Sequence, residues 1–335
     1  MRCSQTIYII LAFAFLSGCQ SSFLDKSKQD KYMSITPEEN GNYSFPTWVS
    51  NNIIVFVYQT KADTNYLDPL KPDLRFYNVE GNKWGKVQLP SDNSCPYLVF
   101  DFLQRLPDQN IGYLNRCTDN GQEVRTIREV DISTGKITTL MDSGPLGVAG
   151  QFSYSPDMSE LVQEDMTGRF LSNKLFYRQA KPSSAQIIPN FTRAMYPNWS
   201  LVEREIAFWG TEAYSGGNPT DFKTLSEILA LSSYPWDLYI STPEGTDLEK
   251  VLTSVKDARF IKWSPKVGNI AFSGNYAGEP GVWLVNPKTS VITRIWSVSG
   301  EFDWSPDGNK MVILDQVTDQ AGTILSQRIS IMTLN

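Results

Sequence analysis

The 335-residue sequence contains no histidine, and this absence excludes several classes of enzyme. Serine and cysteine hydrolases that use a histidine base are excluded, because the imidazole takes the proton from their nucleophile. Zinc and non-haem iron sites built on histidine ligands are excluded as well. A G-x-S-x-G elbow and a glycine-rich phosphate loop are also missing, so we expect no catalytic residue, no cofactor and no metal. The absence of histidine does not exclude catalysis by carboxylates alone, since a glycosidase needs only two acids about 5–9.5 Å apart.

Basic residues are outnumbered by acidic ones. The chain has 30 Lys and Arg residues against 36 Asp and Glu residues, which gives a net charge of −6. Phosphate recognition needs a basic face, so we expect no nucleic-acid partner. With 41% hydrophobic and 20% charged residues, the composition is that of a globular protein.

Only four cysteines are present, and two of them lie in the N-terminal segment MRCSQTIYIILAFAFLSGCQSS. A single positive charge at Arg2 precedes the apolar stretch from Ile7 to Leu16. This stretch is too short for a bilayer span of about 20 residues, but it suits a signal peptide. It runs into the sequence LSGC, ending at Cys19, which resembles the lipobox of bacterial lipoproteins.

The lipobox resemblance implies cleavage before Cys19, diacylation of its thiol and acylation of the new amine, which together give stable anchoring. We therefore expect a signal peptide at 1–18 and a lipidated linker at 19–30, with an ordinary secretory signal as the alternative. Gln20 stands where inner-membrane lipoproteins of enteric bacteria carry an aspartate. The expected location is the cell envelope, at the periplasmic face of the outer membrane or at the cell surface.

The other two cysteines, Cys95 and Cys117, bracket a predicted hairpin whose turn should centre near Leu106 and Pro107. An even pair of cysteines in an exported protein indicates a disulfide, here across the open end of the hairpin. It would close a loop of about 22 residues and contribute about 3 kcal/mol. Neither a C-x-x-C spacing nor further ligands accompany them, so no redox or metal role is expected.

An aromatic residue, a polar turn and an apolar run recur together about every 50 residues, which is the period of propeller blades. The copies are FPTWVSNNIIVFVYQ at Trp48, FDFLQRLPDQNIGYLNR at Phe102, FSYSPDMSELVQE at Tyr154, YPNWSLVEREIAFWG at Trp199, FIKWSPKVGNIAFSG at Trp263 and FDWSPDGNKMVILDQ at Trp304. Two further strand-like runs follow each of the first five copies, but only one follows the sixth. We therefore predict an all-β, six-bladed β-propeller of four-stranded antiparallel blades over residues 31–335. The N-terminal segment 31–37 is predicted to close the ring as the missing strand of the sixth blade.

Three copies, at Tyr154, Trp263 and Trp304, resemble the W-S-P-D-G repeat of TolB-type, WD40-like β-propellers of the bacterial envelope. The copy at Phe102 departs from this repeat, because Gln104 stands where a serine is usual. The resemblance implies a propeller that docks protein partners in the envelope. Only about a dozen linker residues precede the first blade, so the separate α/β domain of TolB is not expected.

The last copy contains the turn Ser305-Pro306-Asp307-Gly308, whose carboxylate is a candidate for catalysis. Proline presets φ, aspartate accepts hydrogen bonds from nearby N–H groups, and glycine takes a positive φ, so the turn chemistry explains the sequence. A carboxylate recurs in the turn of another blade, at Asp157. We therefore predict a structural role for both, and we predict that Trp304 packs between neighbouring blades.

An insertion at residues 210–236 separates the second and third strands of the predicted fourth blade, on the face that usually binds ligands. Part of it has the apolar spacing of a helix, which could contact a partner or pack on its own blade. Two smaller loops share that face, and aromatic residues are frequent contacts in interfaces. The predicted partner contacts are Tyr66, Trp209, Phe222, Leu225 and Tyr276.

These observations predict a lipid-anchored, monomeric and non-catalytic propeller that binds an envelope protein or peptide. The alternative is a carbohydrate-active hydrolase or a glycan-binding lipoprotein that uses carboxylates of the central channel. Two buried carboxylates that face each other in the channel would favour the hydrolase, whereas an apolar binding surface would favour the protein partner.

Overall fold

The structure of the protein is a computed structural model. It describes residues 32–36, 41–60, 73–90, 99–119, 122–141, 150–165, 174–179, 186–188, 193–211, 235–266, 268–318 and 324–334. Within these ranges the only element other than a strand is a 3-10 turn at Pro107–Gln109. None of the described residues forms a helix with the length and apolar character needed to cross a membrane.

The described residues form 23 strands in chain order. They are β1 (Tyr32–Ile35), β2 (Gly41–Ser50), β3 (Ile53–Thr60), β4 (Asp73–Asn78), β5 (Lys83–Lys86), β6 (Val99–Arg105), β7 (Asn110–Asp119), β8 (Gln122–Asp131), β9 (Ile137–Met141), β10 (Phe152–Tyr154), β11 (Glu160–Asp165) and β12 (Lys174–Gln179). They continue with β13 (Gln186–Ile187), β14 (Arg193–Trp199), β15 (Ile206–Thr211), β16 (Trp236–Ser241), β17 (Glu249–Trp263), β18 (Ile270–Tyr276), β19 (Glu279–Asn286), β20 (Val291–Trp296), β21 (Gly300–Trp304), β22 (Lys310–Thr318) and β23 (Ile324–Thr333).

Four sheets contain four antiparallel strands each, in the orders β2-β3-β4-β5, β6-β7-β8-β9, β10-β11-β12-β13 and β1-β23-β22-β21. In the last of these, Tyr32 lies opposite Met332 and Ile35 opposite Ile329. A segment near the start of the chain therefore supplies the outer strand of the sheet that the end of the chain forms.

The remaining sheet has seven strands, β14 to β20 in chain order. Its long middle strand, β17, pairs with two different neighbours along its length. Val255 lies opposite Trp236 of β16, whereas Trp263 lies opposite Ile270 of β18. One half of β17 thus ends a unit of four strands, and the other half begins the next unit.

The apolar core is divided into clusters, each between neighbouring sheets. Trp304 of β21 packs with Ala271 and Val282 of the preceding unit, which confirms the predicted place of this tryptophan. Trp48 of the first sheet belongs to a cluster with Leu314 of the last sheet. Sheets that pack face to face in sequence order form an all-β propeller, so this part of the predicted fold class is confirmed, and the count of six blades stays a prediction.

The Ser305-Pro306-Asp307-Gly308 segment is the predicted turn between β21 and β22. The Gly308 N–H donates to the Ser305 carbonyl at 2.8 Å, and Gly308 has a φ of 64°. The Asp307 carboxylate accepts from the Ser305 hydroxyl at 2.6 Å and from the Asn309 N–H at 3.0 Å. These bonds use the carboxylate to hold the turn together, as its sequence predicts.

The second repeat is aligned differently from the prediction. In the other repeats the aromatic residue pairs with the first or second residue of the second strand, as Trp263 does with Ile270 and Trp304 does with Met311. In the second repeat Arg105, not Phe102, has this position, because Arg105 pairs with Ile111. The aromatic of this copy, Phe102, lies three residues earlier. Aligning the copies on their aromatic residues therefore places Phe102 where Arg105 belongs.

Four first strands carry a bulge with an aromatic residue at positive φ: Phe45 (52°), Phe102 (55°), Tyr196 (57°) and Phe260 (27°). The pairing register with the second strand shifts at or beside each of these residues. Such a backbone conformation is unfavourable for a bulky side chain, and a bulge re-aims the side chain it carries. All four positions lie three residues before the aromatic or arginine position of the repeat.

The hairpin of β6 and β7 turns through Pro107–Gln109, slightly later than the predicted centre near Leu106 and Pro107. Cys117 lies in β7, with Val124 of β8 as its register partner. Cys95 lies outside the described residues, so the disulfide between the two stays a prediction. Cys19, the signal peptide and the linker also lie outside the described residues.

Candidate functional site

A channel runs through the middle of the propeller. Strands β2, β6, β10, β14, β17 and β21 together line a cavity whose empty space, with the solvent at its open end, is about 520 Å³. A second cavity, of about 410 Å³ on the same measure, is lined by residues of β6, β14, β17 and β21 and by Leu201 of the turn that follows β14. Gln104, Asn198 and Lys262 line both cavities, so the two lie next to each other.

We name the two ends of this channel by the direction of its first strands. The upper opening is the end where these strands begin, and it is lined by Phe45, Phe102, Phe260 and Glu301. The lower opening is the end where they finish, and it is lined by Arg105, Leu201, Trp263 and Trp304.

Between the two openings, polar side chains link neighbouring four-stranded units by a recurring hydrogen bond. The Asp303 carboxylate accepts from the Trp48 N–H at 2.9 Å, the Gln104 amide from Tyr154 at 3.0 Å, the Ser153 hydroxyl from Trp199 at 2.9 Å, and the Asn198 amide from Trp263 at 2.8 Å. In each case the acceptor directly precedes the aromatic or arginine position of its own repeat. The polar groups of the channel wall are therefore largely used to hold the ring together.

Sequence reasoning missed this belt of hydrogen bonds, although a signal for it exists. The residue before the aromatic is polar in the copies at Trp48, Tyr154, Trp199, Trp263 and Trp304. A strand position that stays polar beside a buried aromatic indicates a buried hydrogen bond, because an unpaired polar group there would be unfavourable.

The upper opening is largely aromatic. The rings of Phe45 and Phe102 are 5.6 Å apart and meet edge to face, as do the rings of Tyr196 and Phe260 at the same distance. Each pair joins two neighbouring four-stranded units, and each ring stands on a bulge. The bulges thus place apolar surface at an open end of the channel.

Two glutamates accept the backbone N–H groups of these bulges across a sheet boundary. The Glu164 carboxylate accepts from the Tyr196 N–H at 2.6 Å, and the Glu301 carboxylate accepts from the Phe45 N–H. Glu164 is 5% exposed, and burial raises its pKa to about 7 against the opposing effect of the hydrogen bonds that it accepts. Burial likewise raises the pKa of Glu301 to about 7, although the charge of Arg259 opposes the shift.

The channel carboxylates are Glu301 and Asp303, two residues apart on β21. Both accept backbone N–H groups of the first sheet, and Asp303 also lies 3.5 Å from the Lys262 ammonium. Each of the two carboxylates therefore has a structural hydrogen bond, whereas the acid and base of a hydrolase would be free of one. Among the described residues, no group of three or more cysteine, aspartate and glutamate side chains is placed to hold a metal ion.

The structure describes two of the five predicted partner contacts, Trp209 and Tyr276. Trp209 is 0% exposed, and its indole N–H donates to the Arg259 carbonyl at 3.3 Å, so it belongs to the core and its prediction as a partner contact is wrong. Tyr276 is half-buried and packs edge to face on Phe272 and Trp283, and its contact with a partner stays a prediction. The other three predicted contacts, Tyr66, Phe222 and Leu225, lie outside the described residues.

Trp209 directly precedes the insertion, yet it belongs to the second strand of its unit and faces the neighbouring unit. β15 ends at Thr211, opposite Arg193 where β14 begins. The chain therefore leaves β15 at the edge of the sheet on which the upper opening lies.

A scan against protein-family models found no match for this chain, and a search of curated proteins found none. Among solved structures, TolB from Acinetobacter baumannii is 13% identical with a TM-score of 0.55, over 84% of this chain and 64% of that one. A TolB-type protein from Agrobacterium tumefaciens is 14% identical with a TM-score of 0.53, over 78% of this chain and 90% of that one. A chain of a nidogen/laminin complex is 8% identical with a TM-score of 0.51, over 82% and 92% of the two chains.

These likenesses establish a TolB-like β-propeller fold and nothing finer, because the identities are low. The chain spans about two thirds of the length of the Acinetobacter TolB that it resembles.

Proposed function

We propose that this protein is a lipid-anchored, six-bladed propeller of the bacterial envelope that binds a protein or peptide and catalyses no reaction. The lipobox that ends at Cys19 supports the anchor. Two features support the count of six blades: the division of the seven-stranded sheet at β17, and the packing of the first sheet against the last.

One observation carries the binding function, namely the chemistry of the upper opening. Phe45, Phe102 and Phe260 present apolar rings at the end of a channel whose polar groups are already paired with backbone. Aromatic side chains dominate the energetics of protein interfaces, since they remove large apolar surface from water. An apolar side chain of a peptide, inserted into this opening, would find matching surface there.

The position of β1 supports an anchor that leaves the upper opening accessible. β1 is the outer strand of its sheet, and Tyr32 lies opposite Met332, at the end of β23 near the lower side of the propeller. The linker at 19–30 would join the propeller on that side and could span up to about 40 Å when extended. The upper opening would then face away from the membrane.

We expect a cross-linked partner to be captured from the native envelope by the wild type but not by Phe102→Asn. Asparagine tolerates the positive φ at this position, so the variant removes the ring without straining the bulge. Val291→Asn is the matched control, because Val291 is a 60% exposed side chain on the outer strand β20. In the same experiment Cys19→Ser should release the protein from the membrane fraction and abolish acyl labelling.

The binding proposal fails if Phe102→Asn, shown to be folded by its melting curve, captures the same partner in the same amount. The anchoring proposal fails independently if Cys19→Ser remains in the membrane fraction.

The alternative is a carbohydrate-active hydrolase or glycan-binding lipoprotein, and one observation favours it. Glu301 lines the channel, and its raised pKa, about 7, would suit a general acid at neutral pH. The hydrogen bond that Glu301 accepts from the Phe45 N–H gives this residue a structural role that requires no catalysis. Glu301→Gln separates the two functions, because it removes the acid but keeps an acceptor for the Phe45 N–H.

A further inference from the structure

Arg105 occupies a position of the repeat that is aromatic in every other unit. The equivalent residues are Trp48, Tyr154, Trp199, Trp263 and Trp304. The exchange puts a guanidinium at the lower opening, where the other sheets present rings. A single charged residue in a ring of aromatics points to a specific use, because packing alone would be served by another ring.

The guanidinium of Arg105 is incompletely paired. Its Nη1 is buried and has no hydrogen-bond partner among the described residues. The indole nitrogen of Trp263, a residue 6% exposed, also lacks one. Both residues line the lower cavity of about 410 Å³. Buried donors without acceptors are unfavourable, so a group that supplied acceptors in this cavity would be bound.

The charges of the lower opening favour an anion. Arg105 and Lys262 contribute two positive charges, and Asp303 contributes one negative charge. The Asp303 carboxylate is already held by the Trp48 N–H and lies 3.5 Å from the Lys262 ammonium. The balance of one positive charge suits a singly charged ligand better than a phosphate, which carries more charge at neutral pH.

The remaining walls of this cavity are apolar. Trp199 and Trp304 line it, and Leu201, which is 41% exposed, stands at its rim. Leu201 follows Ser200 where four of the other five copies have a proline, so the turn of this unit presents an aliphatic side chain. A ligand that fills this cavity should therefore combine an apolar body with its anionic group.

We propose that the lower opening binds a carboxylate that is attached to an apolar group, with Arg105 as the residue that holds the carboxylate. The planar guanidinium matches a carboxylate with two parallel hydrogen bonds, and the tryptophans enclose the apolar part. The carboxylate can belong to the C-terminus of a peptide or to a small aliphatic acid. This site is separate from the upper opening and does not depend on the function proposed for it.

The test uses the mature chain and four probes: hexanoate, the peptide Gly-Gly-Leu, the amide of that peptide, and inorganic phosphate. Binding is measured by calorimetry and by tryptophan fluorescence. We expect at least one carboxylate probe to bind, the amide and phosphate to bind far more weakly, and Arg105→Met to weaken carboxylate binding about tenfold or more. Lys136→Met, which removes an exposed positive charge elsewhere, should leave binding unchanged.

Preference for the peptide acid would assign the site to a chain terminus, and preference for hexanoate to a small acid. The proposal is overturned if neither acid binds, if the amide or phosphate binds as well as the acids, or if folded Arg105→Met binds them as the wild type does. Should Arg105→Met not fold, Arg105→Lys decides the question, because it keeps the charge but loses the planar fork. Undiminished binding by Arg105→Lys would then also overturn the proposal.

Discussion

Two pairs of carboxylates in this propeller both accept structural hydrogen bonds, but they do so in different environments. Glu164 and Glu301 accept backbone N–H groups at the upper side of the ring, and Asp157 and Asp307 accept hydrogen bonds within the turns at the lower side. The pKa values move in opposite directions. Burial raises those of both glutamates to about 7. Hydrogen bonds lower the pKa of Asp157 to about 2, and the bond from the Ser155 hydroxyl contributes most.

The pKa values of the two pairs differ because their hydrogen-bond donors come from different places and because their access to water differs. Each glutamate accepts from a bulge of the neighbouring sheet, in a place with little access to water, where a charge is poorly solvated. Each aspartate accepts from its own turn at the surface; burial opposes ionisation of Asp307, but the bonds from Ser305 and Asn309 outweigh it and lower its pKa. Groups with strongly raised pKa values often mark catalytic sites, yet here they mark contacts between sheets.

The largest expected effect concerns Glu164 and the dependence of stability on pH. Its pKa is about 7 in the folded protein and 4.5 in an unperturbed glutamate. The folded state therefore holds the proton more tightly, and the stability that this provides is present below pH 4.5 and lost as the pH rises to 7. Since one pKa unit corresponds to about 1.4 kcal/mol, the loss is on the order of 3 kcal/mol. Glu164→Gln should remove this slope and make the protein more stable than the wild type at pH 8.

Urea unfolding between pH 4.5 and 8 measures this slope, and the chain is well suited to the measurement because it has no histidine to titrate in that range. Asp157→Asn is the control, because its carboxylate is ionised throughout this range. A wild type that is equally stable at pH 5 and pH 8, with no change in Glu164→Gln, would contradict the assignment.

A smaller effect in the same direction is expected for Glu301→Gln. The side chain of Glu301 is only partly buried, so water screens its charge and the pH dependence that it contributes should be weaker. The glutamine amide can still accept the Phe45 N–H, so the variant should fold and should capture the same partner as the wild type. Stability and capture are measured together at pH 6 and pH 8.

The same variant separates the two candidate functions. If the wild type hydrolyses a glycan and Glu301→Gln does not, while it remains folded, the non-catalytic proposal is wrong and the hydrolase is supported.

The sequence predicted the all-β propeller fold and the turn of Asp307 correctly, because both rest on local chemistry. Aromatics that recur at the same point in each strand and Pro-Asp-Gly turns are visible without knowledge of any contact across the ring. The place of Trp304 between sheets followed from the same repeat.

The residues that the sequence missed act across sheet boundaries. Glu164 lies near the end of a second strand, and nothing in its neighbours along the chain indicates that it accepts the Tyr196 N–H. Arg105 does not stand out in the repeat because Phe102, three residues earlier at the bulge, matches the aromatic of the other copies. Trp209 is predicted as a partner contact, but it lies within a strand and its ring is in the core. Position along a chain predicts hairpins well, but it does not reveal which groups meet between sheets.

The smallest effect is expected for the turn aspartates. Asp307→Ala removes the acceptor of the Ser305 hydroxyl and of the Asn309 N–H, which should lower stability by about 1 kcal/mol at neutral pH. Because the pKa of Asp307 is lowered from 3.8, this contribution is present above that pH and is lost as the pH falls further. Asp157→Ala, in the equivalent turn, should act in the same direction, and neither variant should alter the slope between pH 5 and 8. Thermal unfolding at pH 7 and pH 3 provides the measurement, and loss of partner capture in folded Asp307→Ala would mean that this turn belongs to a binding site after all.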